Sequence, residues 1–229
     1  MPAVVIADIV SSRELADRKA AQRDLETVLA QVSEEGPPAE QGLRPVVGDE
    51  VQGVYSDLSS ALAATMLLQL ALPEGLELRF GIGLGRIEEI PSVGGALSEG
   101  EAWWAARGAI DQVERLARRT APTARTWVAA AEGATAETRE MVGIANSGLL
   151  ARDRAIAQLS ARTRRLVYGR WRGRTQTDLA AAEGVVQSAV SQALAAAEAG
   201  ALLEGLRALT GERGPASPDR EPDSGGHSR

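Results

Sequence analysis

Val4, Val5, Ile6, Ala7, Ile9 and Val10 form a nearly unbroken apolar run, which predicts a strand over Ala3–Ile9 buried on both faces. Asp8 interrupts that run. The polar–apolar pattern then predicts a helix to about Val32, introduced by Ser11-x-x-Glu14, which has the capping-box spacing. SEEGPPAEQG reads as a loop. LRPVV and EVQGVY read as two strands joined by Gly48-Asp49, with glycine first as a type II′ turn prefers. Leu58 to Leu72 is a helix apolar nearly all round, so it belongs in a core, and Pro73 and Gly75 end it. LELRFGIGLGRI supplies a fourth strand. After a loop containing Gly and Pro come a helix near Glu99–Arg119, a short strand near Thr126–Ala129 and a helix before Leu150.

The order β-α-β-β-α-β predicts an α+β fold of the ferredoxin-like kind over residues 1–150. From Ala151 the pattern is helical throughout, which predicts an all-α unit over 151–210. GERGPASPDREPDSGGHSR, residues 211–229, has the composition of a disordered tail.

Charge supports two modules. Residues 1–150 carry 22 acidic against 13 basic side chains, whereas residues 151–210 carry 5 against 9. The absence of cysteine excludes disulfides, thiolate metal sites and cysteine nucleophiles, and the single histidine, His227, sits in the tail. Any metal chemistry therefore falls to oxygen ligands and a hard cation such as Mg²⁺ or Mn²⁺. No charged-then-apolar leader opens the chain, and the apolar stretch Leu58–Pro73 is too short and too polar to span a bilayer. The expectation is a cytoplasmic protein with no membrane partner.

Asp8 now acquires a context. A carboxylate buried in a strand costs several kcal/mol unless it is paired or bound to a cation. In a β-α-β-β sheet the first strand lies beside the hairpin, which brings Asp8 toward Asp49 and Glu50. Such carboxylates repel unless a divalent ion neutralises them, and that constellation suits phosphoryl chemistry. Backbone N–H groups around Ser11 and Ser12, with Arg13 beside them, would suit phosphate. A bracing ion pair from Asp8 to Arg79 or Arg107 is the plainer reading. Ser11 reads more simply as a helix cap, Asp49 as a turn residue, and Trp103 and Trp104 as core. GIGLG is weak as a phosphate loop, because its glycines fall on strand positions with no helix directly after.

QTDLAAAEGVVQSAVSQAL, Gln176 to Leu194, has the pattern of a helix-turn-helix. Ala180 is small where the helices approach, and four residues on Gly184 can take positive φ in the turn. Val185, Val190 and Leu194 form the inward face. Gln187, Ser188, Ser191 and Gln192 point outward toward base edges, with Gln176 at the start of the first helix. Arg162, Arg164, Arg165, Arg170, Arg172 and Arg174 just upstream would contact the DNA backbone. Val186 departs from the usual serine or threonine cap. A plain hairpin used for packing or dimerisation is the alternative.

ADIVSSR, GDEVQG and RFGIGLG together resemble the core of class III nucleotidyl cyclases, and Gly48-Asp49-Glu50-Val51 resembles the hairpin of GGDEF diguanylate cyclases. With GALSEGEAWWAARGAID and the helical C-terminus, residues 1–209 as a whole are similar to the SatD family of bacterial proteins. The cyclase likeness implies Asp8, the Ile9 carbonyl and Asp49 or Glu50 as metal ligands, Gly48 near the phosphates, and Arg107 as the arginine facing the transferring phosphate. Were the protein an enzyme, Arg107 and Glu50 would be its catalytic groups. Three positions depart from those patterns: Trp103 replaces an asparagine, Pro45 a base-selecting lysine, and Val47 the first hairpin glycine. These losses favour binding over catalysis. The resulting expectation is a nucleotide- and metal-responsive DNA-binding regulator, a homodimer, taking a purine or cyclic nucleotide. The alternatives are an active nucleotidyl cyclase tethered to a helix-turn-helix, and a DNA-binding protein whose N-terminal part only oligomerises.

Overall fold

In the computed structural model, which describes residues 1–12, 15, 17–46, 50–90 and 97–211, the first strand is the middle of a sheet. The elements up to the fourth strand are β1 (Ala3–Ile9), α1 (Arg18–Glu35), β2 (Ala39–Pro45), β3 (Val51–Tyr55), α2 (Leu58–Ala71) and β4 (Leu78–Leu84). A short pair follows, β5 (Glu88–Ile90) and β6 (Leu97–Glu99), then α3 (Glu101–Arg119), β7 (Thr126–Ala130) and α4 (Ala136–Ala157). Four further helices complete the described chain: α5 (Ala161–Trp171), α6 (Gln176–Glu183), α7 (Gln187–Ala196) and α8 (Ala199–Thr210). The sheet order is β2-β3-β1-β4-β7, antiparallel except for β7, which runs parallel to β4. Its first four strands have the connections and neighbours expected of β-α-β-β-α-β.

Central placement explains the double-sided apolar run of β1. Ala3, Val5, Ala7 and Ile9 join the core under α1 and α2, while Val4 and Ile6 pack against Ala102, Ala106 and Ile110 of α3. The glycines of GIGLG let α3 lie directly on β4. A Cβ at Gly83 would stand 1.9 Å from the Ala102 carbonyl oxygen, and one at Gly81 2.2 Å from that of Ala106. They are helix-docking residues.

α2 is buried from Ala61 to Leu70 because the sheet lies on one side of it and α5 and α8 on the other. One continuous core therefore joins Phe80 and Ile82 of the sheet to Leu166, Val167 and Leu206 of the C-terminal helices. The junction expected at 150/151 lies inside α4, which runs unbroken from Ala136 to Ala157. α4 follows the outer edge of β7 and satisfies it with side chains. Asn146 accepts from the Val128 N–H (2.8 Å) and donates to its carbonyl (2.9 Å), and Asp153, two turns on, accepts from the Arg125 and Thr126 N–H groups (2.7 Å each). An edge that would otherwise recruit another strand is closed.

Three local expectations change. α1 starts at Arg18, capped by Asp17 accepting from the Ala20 N–H at 2.9 Å, and Ser11 takes φ +52° in a turn, away from the extended backbone from which a serine side chain caps a helix. Glu14, the other half of the expected capping box, lies outside the described residues. β2 begins at Ala39, inside the expected loop, because irregular bulged pairing lets Ala39 and Gln41 meet Tyr55 and Val54. Trp104 is 73% exposed rather than core: it follows Trp103 directly on α3, and adjacent helical residues cannot share a face. Trp103 packs against the α3 cluster as expected.

Candidate functional site

Register builds the first site. Ala7 pairs with Val51 and Asp8 with Arg79, so the carboxylates of Asp8 and Glu50 arrive together at one end of the sheet, on the α3 side. There they line an open cleft of about 680 Å³ with Ile9, Ser11, Ser12 and Arg79. Glu114, Arg118 and Arg125 complete the cleft from α3 and the approach to β7.

Arginine forks hold both carboxylates. Arg79 grips Asp8 through Nε (2.8 Å) and Nη2 (3.1 Å) and reaches Glu114 through Nη1 at 3.1 Å. Glu114 also accepts from Arg118 at 2.7 Å. Arg107 binds Glu50 with both terminal nitrogens, Nη2 to Oε1 at 2.8 Å, and Gln52 donates to the same carboxylate at 2.7 Å. Burial opposes the charge on Arg79, but its bonds to Asp8 and the charges of Asp8 and Glu114 outweigh that and hold the guanidinium above its ordinary range. Bonding to Glu50 does the same for Arg107, against some desolvation.

Among the described residues no group of three acidic side chains is gathered to hold an ion, and Asp8, Glu50 and Glu114 each pair with an arginine. Arg13, Gly48 and Asp49, the last an expected metal ligand, lie outside the described residues. Glu114, Arg118 and Arg125 were not legible as site residues, because only the docking of α3 and β7 brings them to the cleft. Arg79 carried a signal: a charge in a buried strand on the register of Asp8.

The second site lies at α6 and α7. Thr175 and Asp178 form a reciprocal capping box at the start of α6. Gly184 ends that helix at φ +65°, where the Val185 N–H reaches back to the Ala180 carbonyl (2.9 Å). Leu179, Ala180, Val190 and Leu194 are buried, and Val185 is half-buried. Gln187, Ser188 and Gln192 are exposed and Ser191 half-buried, while Gln187 bonds Gln176 at 2.6 Å. Val186 occupies the N-cap of α7 with its side chain exposed and no capping bond. The arginines upstream are engaged within the chain. Arg165 forks Glu183 at 2.8 Å and Arg172 pairs with Glu35 at 3.0 Å. Arg170 bonds the Arg174 carbonyl, and Arg174 bonds that of Asp178. Arg162, Arg165, Arg172 and Arg174 nevertheless stay exposed to solvent.

A family model described as the SatD family matches residues 3–121. No curated protein matches the chain. Solved structures similar to it include a bacterial light-regulated adenylyl cyclase, at 12% identity and TM-score 0.38 over 56% of this chain and 74% of that one. A second structure so described gives 14% and 0.40, over 56% of this chain and 42% of that one. The adenylyl cyclase CyaB from P. aeruginosa gives 15% and 0.34, over 46% and 68%.

Proposed function

The chain belongs to the SatD family, and we propose that it is a DNA-binding regulator whose sheet-end cleft takes a nucleotide. The observation that carries this reading is the pair α6–α7: two short helices about a left-handed Gly184, the second presenting Gln187, Ser188 and Gln192 to solvent. Those side chains suit base edges, and the exposed arginines beside them suit phosphates. Two copies would read two half-sites. In the cleft, the hydroxyls of Ser11 and Ser12 and the guanidinium groups of Arg79 and Arg118 suit a nucleotide's phosphates. The mutual neutralisation of Glu50 and Arg107 counts against a catalytic role for either.

Selection of bound sequences from a randomised duplex pool, followed by fluorescence anisotropy over a range of salt, tests the DNA half. Gln192→Ala should flatten discrimination between sequences, whereas Arg174→Ala should weaken binding to all of them and reduce the salt slope by about 1. Absence of any retained DNA at low salt overturns it. For the cleft, ATP, GTP and cyclic nucleotides should raise the Tm of the wild type but not of Arg118→Ala, which removes an exposed phosphate donor. Equal shifts in both proteins, or none in either, would leave the sheet as an oligomerising scaffold.

A further inference from the structure

A second cavity, of about 210 Å³, shares Arg125 with the cleft but otherwise has its own walls, none of them from α7. Its walls come from the end of α2, the approach to β4, the end of α4 and the start of α5, so both halves of the chain close around it. Leu72, Leu76, Leu78 and Ile156 give it an apolar side. Arg164 enters from α5. Its Nε is shielded from solvent with no hydrogen-bond partner among the described residues, and its one bond is a long one, Nη1 to the Gln69 carbonyl at 3.4 Å. Shielding a guanidinium N–H from water without a partner is costly. Burial accordingly presses the Arg164 charge below its ordinary range, against the pull of Glu77 and Glu74.

The other polar groups there are spoken for. Arg125 is forked onto Glu77 at 2.8 and 2.6 Å and also bonds the carbonyls of Pro122 and Ala124. Asp153 accepts from two backbone N–H groups, Gln69 and Arg152. Arg164 is the cation left with capacity, facing a cavity with an apolar wall. Glu74 and Glu77 at the rim make the surroundings unfavourable to a multiply charged anion. The volume is below the roughly 300 Å³ at which drug-sized pockets begin.

We propose that this cavity binds a small monocarboxylate, its carboxylate held by the Arg164 fork and its short apolar body by Leu72, Leu76, Leu78 and Ile156. The site is independent of the DNA and nucleotide reading. The full chain would be titrated with benzoate and butyrate, following Tm and, by isothermal calorimetry, heat. Benzamide, succinate and inorganic phosphate serve as controls. A saturable Tm rise of about 3 °C or more at ten times Kd is expected for the monocarboxylates only. Arg164→Gln should remove it, and Arg164→Lys, which keeps the charge but loses the fork, should weaken binding at least tenfold while circular dichroism stays that of the wild type. No saturable response to benzoate or butyrate overturns the proposal, as does an equal response to benzamide or a response kept in Arg164→Gln. The Arg118→Ala protein should still bind benzoate, which separates this outcome from failure at the cleft.

Discussion

Asp153 shows how much one side chain can hold. It is buried on α4 and ties together the start of β7, Gln69 of α2 and Arg152. Asp153→Ala strands two backbone donors and a cation, so a loss of about 3–5 kcal/mol in urea unfolding is expected. Asp57 tests a weaker effect. It caps α2 by accepting from the Ser60 N–H at 2.8 Å, and that bond first of all holds its carboxyl below the ordinary value. A depressed folded pKa stabilises above the unfolded value and ceases to as pH falls through the folded one. Asp57→Ala should thus cost about 1 kcal/mol at neutral pH, with the gap to wild type closing in acid below about pH 4. Denaturation series at several pH values check this; a constant gap would refute the cap's titration.

At the scale of elements, the packing of α3 on β4 depends on missing side chains. Gly83→Ala places a methyl group against the Ala102 carbonyl oxygen and the Ala106 nitrogen, and neither can give way because both belong to backbone. We expect a loss of about 3 kcal/mol or more and displacement of α3. Since Arg107 and Glu114 ride on α3, the same substitution should also weaken nucleotide binding at the cleft. Gly143→Ala meets open space in α4 and should be neutral or slightly stabilising. Thermal denaturation of the two variants side by side distinguishes a packing requirement from a general intolerance of alanine.

The described residues fold around a main core shared by the sheet and the last four helices, with a smaller cluster between the sheet and α3. A fragment of residues 1–150 would lose Asp153 and expose the outer side of α2, a helix buried nearly throughout. It should be collapsed and protease-sensitive, without the sharp near-ultraviolet dichroism of the full chain. The full chain should unfold in one cooperative step seen alike by tryptophan fluorescence and far-ultraviolet dichroism. Two separated transitions would show that the halves are independent units. No described helix is long and apolar enough to cross a membrane.

The apolar run of β1, the all-round apolar α2 and the turn at Gly184 were legible because each is a local pattern: strand period, helix period, or a single residue needing positive φ. Asp8 stood out for the same reason, as a charge in a buried run. What held that charge was decided by β-sheet register, which puts Arg79 opposite Asp8 and leaves Glu50 to Arg107 from a helix 57 residues away. The start of α1 was misread because Ser11 and Asp17 both have capping chemistry, and the backbone at Ser11 decides between them. The closing of β7 by Asn146 and Asp153, the role of GIGLG and the joining of two halves of opposite charge all depend on contacts between distant segments. Periodicity along a chain records which residues turn inward; only the packed structure determines what they meet.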